Sequence, residues 1–166
     1  MKQKITPTSV EKVMRDDDFI VSKTDGKGRI VYGNRIFIEF SGYSEQELIG
    51  SQHNIVRHPD MPRAVFKLLW DSIQDKRECN AYVKNMAKDG SFYWVFANVT
   101  PSYDRDGNVI GYFSVRRKPK ASAVKTCSEL YRTMLAAEQA AGARDAIAAS
   151  TAILNNLLAE KGMSYD

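Results

Sequence analysis

Three apolar runs separated by two Asp-Gly turns set the strongest limit on what this chain can become. The runs are "ECNAYVKN", "SFYWVFANVTP" and "NVIGYFSVRRK", and the connectors "MAKDG" and "SYDRDG" both end in Asp-Gly. Aromatic and β-branched residues interleaved with polar ones suit strands, and Asp-Gly supplies the positive φ that a tight reversal needs. Residues 78–118 are therefore expected to form an antiparallel meander. An earlier pair of runs in "FIVSKTDGKGRIVYGN" flanks Asp25-Gly26-Lys27-Gly28 and reads as a β-hairpin. The expected sheet has about five strands.

Helical signals lie between hairpin and meander. Asn34 is placed to cap "RIFIEFSGYS", Ser44 and Glu47 have capping-box spacing, and Gly50 reads as a stop. Residues 62–75 start with a proline at an N1-like position, and Val65, Phe66, Leu68, Leu69 and Ile73 form an apolar stripe. Strands, short helices, then strands imply an α+β fold, one antiparallel sheet with helices on one face. A ligand would sit in the pocket between the layers. The expected division is an N-terminal cap over 1–17, frayed or helical, a sensor-sized domain over 18–118, and a helical tail over 119–166.

The tail is alanine-rich, contains no proline, and divides into stretches of about 121–140 and 143–161, with Gly142 and Gly162 near helix ends. Leu130, Met134, Ala137, Ala140, Ile147, Ile153, Leu154, Leu157 and Leu158 supply apolar stripes. A dimerisation or partner-docking surface is the favoured reading, because such a hairpin has little core of its own; the alternative folds it back on the sheet's outer face. Hydrophobic residues at 43% and charged residues at 27% mark a globular chain. No apolar run approaches the roughly 18–20 residues that span a bilayer, and the polar start lacks a secretion signal, so a cytoplasmic location without membrane insertion is expected. Cys79 and Cys127 match no zinc or redox spacing. Net charge is +4, and its one cluster, "RRKPK" at 116–120, reads as a strand end and solvated linker, not a nucleic-acid contact.

"HNIVRHPDMP", residues 53–62, does not read as ordinary scaffold, for both histidines of the chain fall in it beside Asn54, Arg57 and Asp60. Five-residue spacing denies His53 and His58 a shared helical face, and Arg57 disfavours a metal cation nearby. One histidine as an axial haem ligand is a further possibility. Arg, His and Asn together offer donors to an anionic or carbonyl-bearing ligand, such as a phosphate or a flavin edge, with Asp60 placed to hold Arg57 or His58. A solvated loop leading into a helix is the plain alternative. On the first meander strand Cys79, Ala81, Val83 and Asn85 share a face, so Asn85 is either a polar handle on a buried wall or the start of the turn. Trp70 and Trp94 read as core. No nucleophile elbow, Gly-rich phosphate loop or kinase signature is present, so a sensor is expected and not an enzyme.

"GRIVYGNRIFIEFSGYSEQELIG", followed by "KNMAKDGSFYWVFANVTPSYDRDGNVIGYFSVRR", resembles a PAS domain over residues 18–118. "HNIVRHPDMPRAVFKLLW" is similar to the flavin-binding PAS subgroup of bacterial aerotaxis receptors, and the short chain with its helical tail is similar to stand-alone energy-taxis PAS proteins. The resemblance implies a PAS fold holding FAD non-covalently between sheet and helices. Arg57, His58 and Asp60 match family positions needed for FAD, and Asn34, His53, Phe66 and Asn85 match further pocket positions. It also implies redox or energy sensing in the cytoplasm, with a membrane-bound chemoreceptor-type transducer as partner. At Cys79 the chain departs from the pattern, since many aerotaxis receptors carry tryptophan there. Light-sensing LOV relatives place a reactive cysteine in a motif resembling "GRNCRFLQ", where this chain has "GSQHNIVRH". A haem- or small-ligand sensor and a cofactor-free interaction module are the alternative readings.

Overall fold

A computed structural model describes the backbone of residues 5–161 and the side chains of residues 5–155. Its sheet contains β1 (Phe19–Asp25), β2 (Ile30–Gly33), β3 (Cys79–Met86), β4 (Phe92–Tyr103) and β5 (Val109–Arg117) in the order β2-β1-β5-β4-β3, with every pairing antiparallel. The expected meander is β3-β4-β5, and the first hairpin adds to its far side through β1, whose Phe19 faces Arg117. Asp25 builds the hairpin turn by accepting the Lys27 and Arg29 N–H groups on Oδ1.

The helical layer follows its local signals. In α1 (Arg35–Ser41), Asn34 Oδ1 accepts the Phe37 N–H at 3.0 Å, and the helix ends on Gly42 in the left-handed region. In α2 (Glu45–Leu48), Ser44 and Glu47 complete a capping box. His53–Val56 forms one 3-10 turn, and α3 (Arg63–Gln74) begins one residue after Pro62.

Residues 52–57 are tied to both edges of the sheet. Gln52 bridges Arg29 and the His53 N–H donates to the Gly28 carbonyl, beside edge strand β2; Arg57 bridges Asn85 on edge strand β3. This six-residue strap, with a 3-10 turn in its middle, crosses one face of the sheet from edge to edge. The register irregularities at Lys23/Thr24 and Ser102/Tyr103 add local bend to the strands beneath it.

The N-terminal segment is neither helical nor frayed over the described residues. Residues 8–12 run beside the β3–β4 turn, where Thr8 N–H donates to the Gly90 carbonyl and Lys12 and Phe92 bond through their backbones. The tail, α4 (Ala121–Lys161), is broken at Gly142, whose φ of 80° and ψ of 170° leave the helix, as the expected division required. Its first half wraps round β3. Tyr131 stacks on Trp94, on the sheet's outer face, and its hydroxyl donates to the Tyr82 carbonyl at 2.8 Å. Glu138 accepts the Arg63 N–H at 2.8 Å and the Ala64 N–H at 3.3 Å, capping α3 from the tail. Of the expected docking stripe, Leu130, Met134, Ile153 and Leu154 pack on the chain's own core, while Ala140 and Ile147 are exposed. Leu157 and Leu158 side chains and Gly162 lie outside the described residues.

Gly90 and Gly107 both have positive φ, but only at Gly90 would a Cβ collide with backbone, the Thr6 carbonyl; none lies near at Gly107. Gly107→Ala is expected to cost about 1–2 kcal/mol for the left-handed conformation alone. Gly90→Ala should cost measurably more in urea unfolding, because the N-terminal segment must also move; equal losses would refute the contact.

Candidate functional site

The sheet, the strap and α3 enclose a cavity of about 440 Å³. Its sheet wall carries Val83, Asn85, Ala97, Val99, Tyr112, Ser114 and Arg116; its helical wall carries His53, Arg57, Phe66, Leu69 and Trp70. The wall is apolar apart from a few convergent polar groups, the usual make-up of a small-molecule site, and its volume falls in the ~300–1,000 Å³ range of ligand pockets.

Arg116 is the residue that sequence reasoning missed. Strand alternation from Tyr112 puts Ser114 and Arg116 on the inner face and sends Arg117 outward, where its guanidinium lies 5.2 Å from the Phe96 ring centroid. The "RRKPK" cluster is thus no basic patch, for Arg116 points in, Arg117 out, and Lys118 pairs with Asp16. Arg116 is 2% exposed and sits 4.6 Å over the Phe37 ring. Its Nη2 donates to Ser22 Oγ at 2.6 Å and its Nη1 to His53 Nε2 at 3.1 Å. Among the described residues no carboxylate pairs with it and its Nε finds no acceptor. Burial pushes it down to about 10, still a cation at neutral pH.

His53 is held neutral by its burial and by this neighbour. A guanidinium only donates, so Nε2 must present its lone pair and Nδ1 carries the proton. Burial first, and the Arg116 charge second, push the imidazole down to about 3. Its ring stacks on Phe37 at 5.7 Å.

The remaining expected residues divide between cavity and support. Asn85 is 4% exposed and borders the cavity, and its carboxamide hydrogen-bonds to no group among the described residues, so it is a handle on a buried wall and not a turn residue. Arg57 lies 4.0 Å over the Phe66 ring, and both border the cavity. His58 is buried beneath the strap, its Nδ1 accepting the Asp60 N–H at 3.0 Å and its ring edge-on to Phe92. Burial and Lys84 lower its pKa against the opposing pull of Asp60. Asp60 does not reach Arg57. Its carboxylate accepts from Lys84 Nζ at 2.9 Å. Burial pushes it up, but the Lys84 hydrogen bond and charge, with the charges of His58 and Arg132, together hold it below the usual carboxylate range. Asn34 borders neither this cavity nor the wider cleft described below; it accepts the Val21 and Phe37 N–H groups and donates to the Phe19 carbonyl, fixing α1 to β1.

Trp70 departs from the core reading, for it borders the cavity edge-on to Tyr112. Trp94 is core, under Tyr131. Cys79 packs with Ile73, Val99 and Tyr112, and neither cysteine lines the cavity. A wider cleft of about 1100 Å³ opens beyond Arg57 and Phe66, between the strap, the start of α3 and the tail. No cluster of metal-ligating side chains occurs among the described residues, and no described helix is long and apolar enough to cross a membrane.

Comparison with known proteins agrees with this architecture. The profile of the PAS fold matches residues 30–116. The chain belongs to the PAS family. It is 38% identical over 121 residues to the aerotaxis receptor of Escherichia coli strain K12, an overlap of 73% of this chain and 24% of that one. It thus spans about a quarter of that receptor's length. The light-state structure of the Aureochrome1 LOV photoreceptor superposes with a TM-score of 0.57 at 26% identity, covering 67% of this chain and 88% of that one. A light-oxygen-voltage domain studied with a flavin analogue superposes with a TM-score of 0.59 at 22% identity, covering 67% and 83%, a likeness of fold.

Both imidazoles are lowered in the fold, so as pH falls below about 6.5 the unfolded chain binds more protons than the folded chain does. Stability is present above the unfolded value and is lost as pH falls. The urea midpoint should drop from pH 7 to pH 5, above the range where the carboxylates titrate, and the double variant His53→Gln/His58→Gln should flatten that slope. A slope unchanged in the double variant would overturn the assignment.

Proposed function

We propose that this chain is a cytoplasmic flavin-based redox sensor, not an enzyme, that holds FAD non-covalently and reports its electron state to a membrane-bound chemoreceptor-type transducer. The observation that carries the reading is the buried Arg116 guanidinium, which no carboxylate among the described residues pairs, on the wall of a mostly apolar cavity that Asn85 also borders. A heteroaromatic ring with carbonyl and ring-nitrogen acceptors suits such a rim, and its electron-rich reduced form suits it better. The likeness to the E. coli aerotaxis receptor supports the same reading. Haem fits less well, because His53 Nε2 is taken by Arg116 and Ser22, and His58, whose Nδ1 accepts the Asp60 N–H and whose Nε2 therefore carries the proton, does not border the inner cavity.

Bound flavin supplies reversible electron uptake, with a change in charge and hydrogen bonding at the ring edge. Everything else belongs to the chain. Arg116 keeps a fixed positive charge at the cavity wall, and His53 offers Nδ1–H as a donor while remaining neutral. Asn85 can donate through its amide nitrogen or accept through its oxygen, and a half-turn of the carboxamide exchanges the two. Its backbone bridges Arg57, so a shift at Asn85 reaches the strap, the start of α3 and, through Glu138, the tail. That route provides a two-arrangement element for the signal.

The test is the absorption spectrum of purified protein, in air and after anaerobic reduction. Flavin bands near ~450 nm that bleach on reduction are expected, with FAD in the denatured supernatant. A Soret band transfers the reading to haem, and no chromophore after incubation with FAD leaves an interaction module. Arg116→Met separates function from fold. It removes an unpaired buried charge and leaves Ser22 and His53 bonded to each other at 3.0 Å. The cofactor-free variant should unfold at equal or higher urea, while flavin affinity falls about tenfold or more.

A further inference from the structure

Asn54, Arg57 and Phe66 border both the inner cavity and the outer cleft, so the two spaces meet at one doorway. The outer cleft is the larger, about 1100 Å³ against about 440 Å³, and its chemistry differs. Arg57, Arg63 and Lys67 bring three cations, of which Lys67 is paired with Asp71 at the surface. The carboxylate on its wall, Glu138, is occupied by the first N–H groups of α3. Beyond the cations the wall is tail helix, where Leu135, Ala143 and Ala146 present apolar surface and Gln139 a carboxamide. The order from the inside outward is apolar slot, cationic doorway, then mixed apolar and amide surface.

Resting on the flavin reading, we propose that the outer cleft seats the adenosine diphosphate half of the cofactor. The tail helix then forms part of the cofactor site and selects dinucleotide over mononucleotide. The diphosphate lies at Arg57 and Arg63, whose guanidinium forks suit phosphate oxygens. A purine lies against Leu135, Ala143 and Ala146, with the Gln139 amide matching its donor and acceptor edge. Alanine at 143 and 146 leaves the cleft open where bulkier helix formers would fill it. Because the cleft reaches Gly142 and Ala143, the occupant touches both sides of the break in the tail. The position of residues 143–161 thereby becomes sensitive to what the inner cavity holds.

The experiment compares FAD and FMN binding to the 166-residue chain, freed of cofactor, by quenching of flavin fluorescence. Wild type should bind FAD about tenfold or more tightly than FMN. Ala143→Trp, at an exposed position that needs no repacking, should bring FAD affinity down to that of FMN and leave FMN within about twofold. Gln139→Trp, also exposed, is a second blocker, and Ala140→Trp, which lies outside the cleft, should change neither ligand. Unchanged urea midpoints confirm that the variants fold. Equal FAD and FMN affinities in wild type, or FAD binding insensitive to both blockers, overturn the proposal, since the adenosine would then project into water. Equal weakening of both flavins also overturns it, reducing the tail to a prop for the ring cavity. Failure of wild type to bind either flavin is a different result, for it sinks the flavin reading and this proposal with it.

Discussion

Two backbone ties, Gln52 with Arg29 and Arg57 with Asn85, hold the rest of the site in place. Because β2 and β3 are the outermost strands, a short segment bonded at both must close one face of the sheet like a strap. The strap's side chains then have no choice of environment. His53 is driven toward Ser22 and Arg116, Arg57 lies across Phe66, and His58 turns under the chain toward Phe92. Polar density in a stretch that looked anomalous follows from its position. A segment crossing a cavity mouth must satisfy its own backbone and furnish the cavity with hydrogen-bonding groups at once.

Arg116 shows the opposite economy. Moving an ion out of water without a counter-charge is among the costliest things a fold can do, and neutral acceptors on Ser22 and His53 recover only part of that cost. Contact with the Phe37 ring recovers some more. A ligand bringing an acceptor edge would complete a set of interactions the protein leaves open, and its binding free energy would include relief of that deficit.

Local chemistry was legible in the sequence. Asp-Gly turns, the Asn34 cap, the Ser44–Glu47 capping box and the break at Gly142 each depend on residues within four or five positions of one another. The inward face of β3 was legible for the same reason, since alternation is local. Contacts across the chain were not. The pairing of β1 with β5 joins segments whose patterns carry no mark of each other. Arg116 was hidden by its neighbours, because a run of cations at a strand end has the composition of a linker; alternation from Tyr112 was the one signal that could have found it. Asp60 and Asn34 looked like pocket residues through resemblance. Their geometry spends them on support, one on Lys84 and the other on three backbone groups.

The strand order also dictates a sequence of events during synthesis. β1 is made early and meets β2 at once across a tight turn, but its other neighbour, β5, is the last strand to be made. A ribosome releasing this chain from the N-terminus exposes a two-stranded hairpin too small to be stable alone. The sheet closes only when Arg117 has emerged to meet Phe19. The first turn of α3 waits longer still, because its capping carboxylate, Glu138, follows seventy-five residues behind Arg63. Birth order and assembly order therefore run against each other, and docking of the tail comes after closure of the sheet.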